Sequence, residues 1–181
     1  MEIITTPLEG LVIIKPKIFV DPRGYFFESY NIEDYARHSL DCNFVQDNQS
    51  LSKKGVLRGL HFQNPPYAQD KLVRVIRGSV LDIVVDIRKK SPTYGQHYKV
   101  LLSGDNNLAL FVPKGFAHGF ICLENNTLFY YKCSSVYNKD AEAGLLWNDP
   151  VLNIDWGIDA PLLSDKDLVY APFEGFNSLF D

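Results

Sequence analysis

The stretch GVLRGLHFQNPPYAQDKLVRVIRGSV, residues 55–80, decides the fold of this chain. Its two halves are rich in Val, Ile, Leu and Phe and are separated by a Pro-Pro turn signal, so they predict two short β-strands. Alternate residues of a strand share a face. His61 and Gln63 are therefore expected on one face, and Lys71 and Val73 on one face of the next strand. The stretch predicts an imidazole, an amide and an ammonium group that can share a cavity.

The spacing of these residues resembles the first motif of the cupin double-stranded β-helix, G-x5-H-x-H-x3,4-E-x6-G. Gly55 and His61 keep the first spacing, whereas Gln63 occupies the second histidine position and Lys71 the glutamate position. A second cupin motif, P-x-G-x2-H, is matched by Pro113, Gly115 and His118. The resemblance implies an all-β fold, a cupin-type double-stranded β-helix or jelly-roll barrel.

The rest of the chain also favours β-structure. Runs rich in β-branched and aromatic residues cover 11–20, 25–30, 71–78, 79–88, 97–103, 108–113, 119–123 and 127–137. Turn signals separate them, a spacing typical of an antiparallel sandwich or barrel. A helix is predicted at residues 31–40, where Asn31 can cap it, and a short one near 164–168, so we expect a few short peripheral helices. Residues 1–181 are expected to form a single domain.

Composition excludes several classes of partner. The formal charge of −4 offers no general attraction to nucleic acid or to an anionic membrane, so neither is expected as a partner. The three cysteines form no CxxC pair and favour a reducing compartment. The N-terminus has no basic start followed by a long apolar core, and no apolar run is long enough for a membrane helix. We therefore expect a soluble, cytoplasmic protein.

The altered cupin positions argue against a catalytic metal. Imidazole and carboxylate groups bind divalent cations, whereas the ammonium of Lys71 accepts no hydrogen bond and repels a cation. We therefore expect no metal and no cofactor, and we expect Lys71 to provide fixed positive charge inside the barrel. Strand alternation places Tyr131 on one face with Phe129 and Cys133, so its phenol can reach the same cavity.

Many blocks in order resemble one family closely: RGLHFQ, PPYAQDKLVRVIRGSVLDIVVDIR, SPTYG, VPKGFAHGF, YKCSSVY, WNDP, IDW and SDKD, with DPRGYFFESY and FVQDNQS upstream. They resemble the dTDP-4-dehydrorhamnose 3,5-epimerases, metal-free cupin isomerases of dTDP-L-rhamnose synthesis. The resemblance implies epimerisation at C3 and C5 of a nucleotide-activated 4-keto-6-deoxy sugar through an enolate, in cell-surface sugar biosynthesis. The substrate it favours is dTDP-4-dehydro-6-deoxy-D-glucose, converted to dTDP-4-dehydro-L-rhamnose.

The resemblance also implies roles for individual residues. His61 would remove the proton next to the ketone, Asp167 would orient that imidazole and favour its charged form, and Tyr131 would return a proton from the opposite face. Lys71 would donate to the C4 oxygen, and Tyr137 would stack on the nucleobase. The remaining substrate-binding positions implied by the family are Arg23, Glu28, Gln46, Asp47, Asn48, Arg58, His118, Glu142 and Lys166. The family is a homodimer with an exchanged N-terminal arm, so Arg23 and Glu28 are expected to serve the other subunit.

The chemistry is consistent with these residue types. Deprotonation next to a ketone places negative charge on its oxygen, and a fixed cation in a dry cavity stabilises that charge. Histidine, with an ordinary pKa near 6.5, suits the base, and tyrosine, with a pKa near 10, suits the acid.

Several alternatives remain open from the sequence. The enzyme could act at C3 alone, or on a GDP-linked 4-keto-heptose for capsule or lipopolysaccharide. Two further hypotheses are a metal-dependent cupin oxygenase or isomerase that uses His61 and His118, and a non-catalytic module that binds a sugar nucleotide or a polysaccharide. Arg58 lies three residues before His61, so both can face the ligand only if Gly59 marks a bulge or the strand begins after it. The aromatic tail LVYAPFEGFNSLFD is not explained by the family motifs.

Overall fold

The computed structural model describes residues 1–181 and contains thirteen β-strands and one α-helix. The strands are β1 (Glu2–Thr5), β2 (Val12–Lys15), β3 (Phe19–Asp21), β4 (Gly24–Phe26), β5 (Gln46–Ser52), β6 (Leu57–Gln63), β7 (Lys71–Arg77), β8 (Ser79–Asp86), β9 (His97–Ser103), β10 (Ala109–Val112), β11 (Phe116–Cys122), β12 (Thr127–Cys133) and β13 (Glu142–Gly144). The helix, α1, spans Ile32–Arg37. No helix of the molecule has the length and apolar character needed to cross a membrane.

Eleven strands form two antiparallel sheets. One has six strands in the order β1-β2-β10-β7-β12-β5, and the other has five in the order β13-β6-β11-β8-β9. Strands β3 and β4 form a separate hairpin, which we call the arm hairpin (Phe19–Phe26). Most neighbours within each sheet are distant in sequence, as in a jelly roll. The all-β prediction is therefore confirmed.

Apolar side chains form three layers around these sheets. The inner layer, between the sheets, contains Val73, Val84 and Phe129 together with other alternating strand residues. The outer face of the five-stranded sheet is covered by the C-terminal segment, and the outer face of the six-stranded sheet by α1. The aromatic tail thus has a packing role, because Phe173, Phe176 and Phe180 pack against the apolar layer on the outer face of the five-stranded sheet.

Several strand predictions differ from the structure: β1 and β13 were not predicted, and the run 25–30 is a strand only as far as Phe26. The run 11–20 is divided into β2 and β3 around Pro16, which has no backbone N–H to donate to a ladder. Strand β5 was not predicted, because its sequence QDNQSLS has few strand-forming residues. It forms because β12 supplies a complete antiparallel partner from Thr127 to Cys133. Tertiary pairing therefore outweighs the weak local preference.

The helix predictions need one correction. Helix α1 begins after Asn31, whose side chain accepts a hydrogen bond from the Glu33 amide at 3.1 Å, as predicted. It ends at Arg37, before the predicted end at residue 40. The second predicted helix is wrong: residues 165–168 form a turn, and the flanking residues Leu162 and Ala171 are held in β-bridges. The molecule therefore has one short helix and not several.

Candidate active site

A cavity of about 380 Å³ lies between the two sheets. Strands β5, β7 and β12 of one sheet and β6, β11 and β13 of the other contribute its walls. Ten of the residues predicted from the sequence line it: Gln46, Asn48, Arg58, His61, Lys71, His118, Tyr131, Tyr137, Glu142 and Lys166. Asp167 contacts the lining residue His61 without lining the cavity itself. The strand periodicity that pointed to a shared cavity is therefore confirmed.

His61 and Asp167 form the most direct polar contact at this cavity. His61 Nε2 lies 2.5 Å from Asp167 Oδ1, and Ser164 Oγ donates to Asp167 Oδ2 at 2.8 Å. The Asp167 side chain is only 4% exposed. Because Nε2 is held by the carboxylate, Nδ1 is the ring nitrogen left to accept a proton.

Burial and hydrogen bonding act in opposite directions on this pair. Burial lowers the pKa of His61 below its ordinary value, and Asp167 opposes that shift without reversing it. Burial also acts to raise the pKa of Asp167, but the hydrogen bonds from His61 and Ser164 outweigh it, so the pKa of Asp167 is lowered. At neutral pH the arrangement favours a neutral imidazole beside a carboxylate, which is the form a general base requires.

Lys71 enters the cavity as a cation without a partner. It is the first residue of β7, and its Nζ makes no hydrogen bond or ion pair within the chain. Burial lowers the pKa of Lys71, while Cys133, Asp82 and Glu142 act in the opposite direction. A buried ammonium with no acceptor of its own is available to an oxygen atom of a bound molecule.

Tyr131 lies on the wall opposite His61. It belongs to β12 of the six-stranded sheet, paired with Asn48 on one side and Val73 on the other, whereas His61 belongs to β6 of the five-stranded sheet. Burial raises the pKa of Tyr131, so the phenol keeps its proton at neutral pH. An acid and a base therefore face the cavity from different sheets.

His118 occupies the second cupin histidine position and is bound to a carboxylate behind it. Its Nε2 lies 2.9 Å from both oxygens of Asp82, which is fully buried. Burial raises the pKa of Asp82, and His118 and Lys71 oppose that shift. His118 is register partner of both His61 on β6 and Val84 on β8. The pair gives the cavity a fixed polar wall.

Gly59 resolves the position of Arg58. The ladder between β6 and β11 shifts register between His118 and Phe120, and β6 already begins at Leu57, so of the two alternatives left open by the sequence the bulge is the one observed. Gly59 has a φ of +136°, and a Cβ there would lie 2.4 Å from the Cα of Gly119. Only glycine allows this approach and this backbone conformation. Arg58 and His61 consequently both line the cavity, and the Arg58 guanidinium is 3.3 Å from Ser52 Oγ.

The mouth of the cavity carries a polar cluster. Lys166 Nζ donates to Glu142 Oε1 at 2.6 Å, and the Tyr137 hydroxyl donates to Glu142 Oε2 at 3.1 Å. The backbone N–H of Tyr137 donates to Gln46 Oε1 at 2.8 Å. Tyr137 as a residue is 54% exposed, so a flat group could stack on its ring.

Three residues implied by the family resemblance lie outside this cavity. Asp47 faces outward and accepts a hydrogen bond from Lys132 at 2.9 Å. Arg23 is in the exposed arm hairpin, bound to Asp21, and Glu28 follows that hairpin. Within one chain, therefore, Arg23, Glu28 and Asp47 are not brought to the site.

Sequence reasoning missed two residues behind the proposed base. Ser164 donates to Asp167, and the Tyr170 ring meets the His61 ring at 5.6 Å. Their only sequence signal is proximity to Asp167. Gln63, at a cupin ligand position, is used structurally: its amide donates to the carbonyls of Tyr67 and Val136.

The donor set does not fit a catalytic metal. No group of three or more His, Cys, Asp or Glu side chains is placed to hold an ion. His61 and His118 are bound to separate carboxylates, and the cation of Lys71 stands where the cupin motif has a glutamate. A divalent cation would be repelled by that ammonium.

Comparison with known proteins gives consistent results. A family model described as dTDP-4-dehydrorhamnose 3,5-epimerase matches residues 5–174. The chain is 49% identical over 169 residues to the dTDP-4-dehydrorhamnose 3,5-epimerase of Shigella flexneri, covering 93% of each chain. The crystal structure of dTDP-4-dehydrorhamnose 3,5-epimerase from Elizabethkingia anophelis NUHP1 has a TM-score of 0.92 at 45% identity, covering 97% of both chains.

A third relative carries a sugar nucleotide. The structure of dTDP-6-deoxy-D-glucose-3,5-epimerase from Legionella pneumophila Philadelphia 1, in complex with dTDP-4-keto-L-rhamnose, has a TM-score of 0.93 at 44% identity. It covers 97% of this chain and 94% of the Legionella chain. These matches confirm the predicted cupin-type barrel and the family resemblance. The chain belongs to the dTDP-4-dehydrorhamnose 3,5-epimerase family.

Proposed function

We propose that the chain acts as one domain that epimerises dTDP-4-dehydro-6-deoxy-D-glucose at C3 and C5 to dTDP-4-dehydro-L-rhamnose. The product would enter cell-surface sugar biosynthesis. One observation carries the proposal: a buried ammonium without an internal partner shares a cavity with an aspartate-bound imidazole and a protonated phenol on the opposite wall. No metal or cofactor is required by this arrangement.

The first step is removal of a proton next to the C4 ketone. Neutral His61 takes the proton from C3 or C5, and the electron pair of the C–H bond moves into an enolate whose charge lies on the C4 oxygen. Lys71 Nζ donates a hydrogen bond to that oxygen. It lowers the barrier because it stabilises the negative charge that develops on the oxygen in the transition state. Asp167 stabilises the imidazolium that forms.

The second step returns a proton to the other face of the sugar ring. Tyr131 donates its phenolic proton to the carbon, the enolate collapses to the ketone, and the centre is inverted. His61 then releases its proton to solvent and Tyr131 regains one, which restores both groups for the second centre. The positions of His61 and Tyr131 on different sheets support delivery from opposite faces.

The nucleotide part of the substrate would bind toward the cavity mouth. Tyr137 offers a half-exposed ring for the base, and Arg58 and Lys166 offer cations for the diphosphate. Lys166 is neutralised by Glu142 in the free chain, so diphosphate binding would exchange one anionic partner for another.

We also infer a homodimer in which the arm hairpin crosses to the partner. Phe19, Val20, Tyr25 and Phe26 of this hairpin are each more than half exposed, an unusual amount of apolar surface for a free hairpin. Arg23, near its tip, does not reach the cavity of its own chain. All three cysteines are free and buried, which supports action in the reducing cytoplasm.

Arm exchange predicts that two defective chains restore one site. Arg23→Ala and His61→Ala should each be weakly active alone, but co-expression should give about one quarter of the parental rate, because half of the dimers are mixed and each has one intact site. The matched control is co-expression of His61→Ala with Lys71→Met, whose residues line the same chain's cavity, and it should give no recovery. Absence of recovery in the first mixture contradicts arm exchange.

The reaction itself is tested by solvent exchange. Incubation with dTDP-4-dehydro-6-deoxy-D-glucose in D2O should place deuterium at both C3 and C5, measured by NMR, and the product should have both centres inverted. Exchange and inversion at C3 alone would indicate a 3-epimerase. The control substrate is a GDP-linked 4-keto sugar, for which slower exchange is expected. Binding without exchange on either substrate would contradict an epimerase and favour a non-catalytic binding protein.

A further inference from the structure

The turn that follows the cavity mouth places an aromatic ring against the proposed base. The ring of Tyr170 meets that of His61 edge to face, with centroids 5.6 Å apart and planes at 64°. Asp167, three residues earlier in the chain, holds Nε2 of the same imidazole. Two side chains from one short turn therefore contact His61.

Space for the Tyr170 ring exists because the residue opposite His61 is a glycine. Gly144 on β13 is the register partner of His61 on β6. A Cβ at position 144 would lie 2.6 Å from Cε2 and 2.7 Å from Cδ2 of Tyr170, far closer than van der Waals contact. The phenol ring thus occupies the volume that a side chain on the neighbouring strand would fill, directly beside the imidazole.

The backbone around Tyr170 is fixed to the five-stranded sheet. Ala171 forms a parallel bridge with Leu145, and the Leu146 amide donates to the Ala171 carbonyl at 3.0 Å. At the other end of the turn, Leu162 bridges Val56 beside β6. Because both ends are held, the backbone that carries the ring cannot move away from His61 without breaking sheet contacts.

The hydroxyl of Tyr170 does not account for this placement. Its oxygen is buried and makes no hydrogen bond of normal geometry, although Lys166 lies close enough to act on the pKa of the phenol. A buried hydroxyl without a partner is unfavourable, so replacing it with hydrogen should be neutral or stabilising. The contact that matters is therefore made by the ring and not by the oxygen.

We propose that Tyr170 is a positioning residue for His61, whose ring fixes the tilt of the imidazole and keeps water from its edge. The hydrogen bond that Nε2 donates to Asp167 fixes the position of this nitrogen but leaves the ring free to tilt about it. Contact with the Tyr170 ring removes that freedom. A displacement of about 1 Å in a reacting group can reduce the rate about 100-fold. The inference rests on the proposed function and deepens it.

Three variants separate the ring from the hydroxyl. Tyr170→Phe keeps the wall and should retain activity within about twofold of the parent. Tyr170→Ala removes the wall and should lower kcat about 10- to 100-fold. Its KM should change little, because Tyr170 does not line the cavity. Tyr170→Leu keeps apolar volume without a flat ring and should resemble the alanine variant in kcat.

Titration of His61 provides a readout that general loss of stability would not change. Burial is the largest influence that lowers the pKa of His61, so opening its edge to water should raise that pKa in Tyr170→Ala and leave it unchanged in Tyr170→Phe. The acidic limb of the kcat/KM profile should move to higher pH in the alanine variant. The charged groups that act on the imidazole are Asp167, Lys71, Lys166 and Glu142, and none of them is substituted in the series. The hydroxyl of Tyr170 lies near Lys166, so Tyr170→Phe is the control for any change that its loss causes there.

The outcomes are distinct. An alanine variant with parental kcat, or an unchanged His61 titration measured by NMR in the ligand-free protein, overturns the proposal, as does a phenylalanine variant as impaired as alanine. If Tyr170→Ala does not fold, the Phe and Leu variants decide, and equal activity with equal titration overturns the proposal. Absence of solvent exchange in the parent refutes the epimerase function instead, while the NMR titration still decides the role of Tyr170.

Discussion

Replacing His61 with alanine is expected to abolish deuterium incorporation at both C3 and C5, with a loss of activity of about 10²- to 10⁴-fold, the range for removal of a general base. The cavity contains no second group in the same position, because His118 is bound to both oxygens of Asp82. We therefore expect one base to serve both centres. The measurement is NMR of deuterium incorporation at C3 and at C5 during incubation with dTDP-4-dehydro-6-deoxy-D-glucose in D2O.

The contrasting variant is Tyr131→Phe, which keeps the base and the cation but removes the proposed acid. It should still exchange protons with solvent through His61 while inversion is lost.

If His61→Ala keeps exchange at either centre, His61 is not the common base. The parental rate should also fall as the pH drops through the pKa of His61, which burial lowers below 6.5, because only the neutral imidazole accepts a proton.

Lys71→Met is expected to lower kcat/KM about 10²- to 10³-fold, as for removal of an oxyanion donor. Methionine retains most of the chain length but cannot donate to the C4 oxygen. The same change should raise the melting temperature, because the folded protein no longer buries an unpaired ammonium. Steady-state kinetics and thermal unfolding on one preparation test both effects. A decrease in activity accompanied by a gain in stability distinguishes a functional lysine from a structural one.

Lys53→Met is the matched control, since Lys53 is exposed and outside the cavity, and it should retain parental activity.

The lowered pKa of Lys71 also sets the direction of the pH effects on activity and on stability. Activity should fall as the pH rises through that pKa, because the neutral amine lacks the positive charge that stabilises the enolate oxygen. The stability of the parent should rise relative to Lys71→Met between that pKa and about 10.4, where the unfolded chain binds the extra proton. Equal activity of Lys71→Met and parent would contradict the enolate role.

Much of the site was predictable because strand alternation acts over short distances. Period-two alternation, together with the match to the cupin motif spacings, led us to expect the side chains of His61, Lys71 and Tyr131 in one cavity, and the structure places them there. Alternation also showed that Arg58 and His61, three residues apart, could face one ligand only through an irregularity, but whether this was a bulge at Gly59 was decided by the structure. The turn at 165–168 was not, because its local sequence also suits a helix.

The sequence by itself determined the all-β class, the family and the replacement of a metal ligand by Lys71, because motif spacing and residue chemistry are local properties. Only the tertiary structure decided which side chains and strands contact those residues. Asp82 behind His118, the partners of β5, and Tyr170 in the space left by Gly144 depend on contacts between segments far apart in the chain. Such contacts are set by how two sheets and a C-terminal segment fill one volume, which no local pattern encodes.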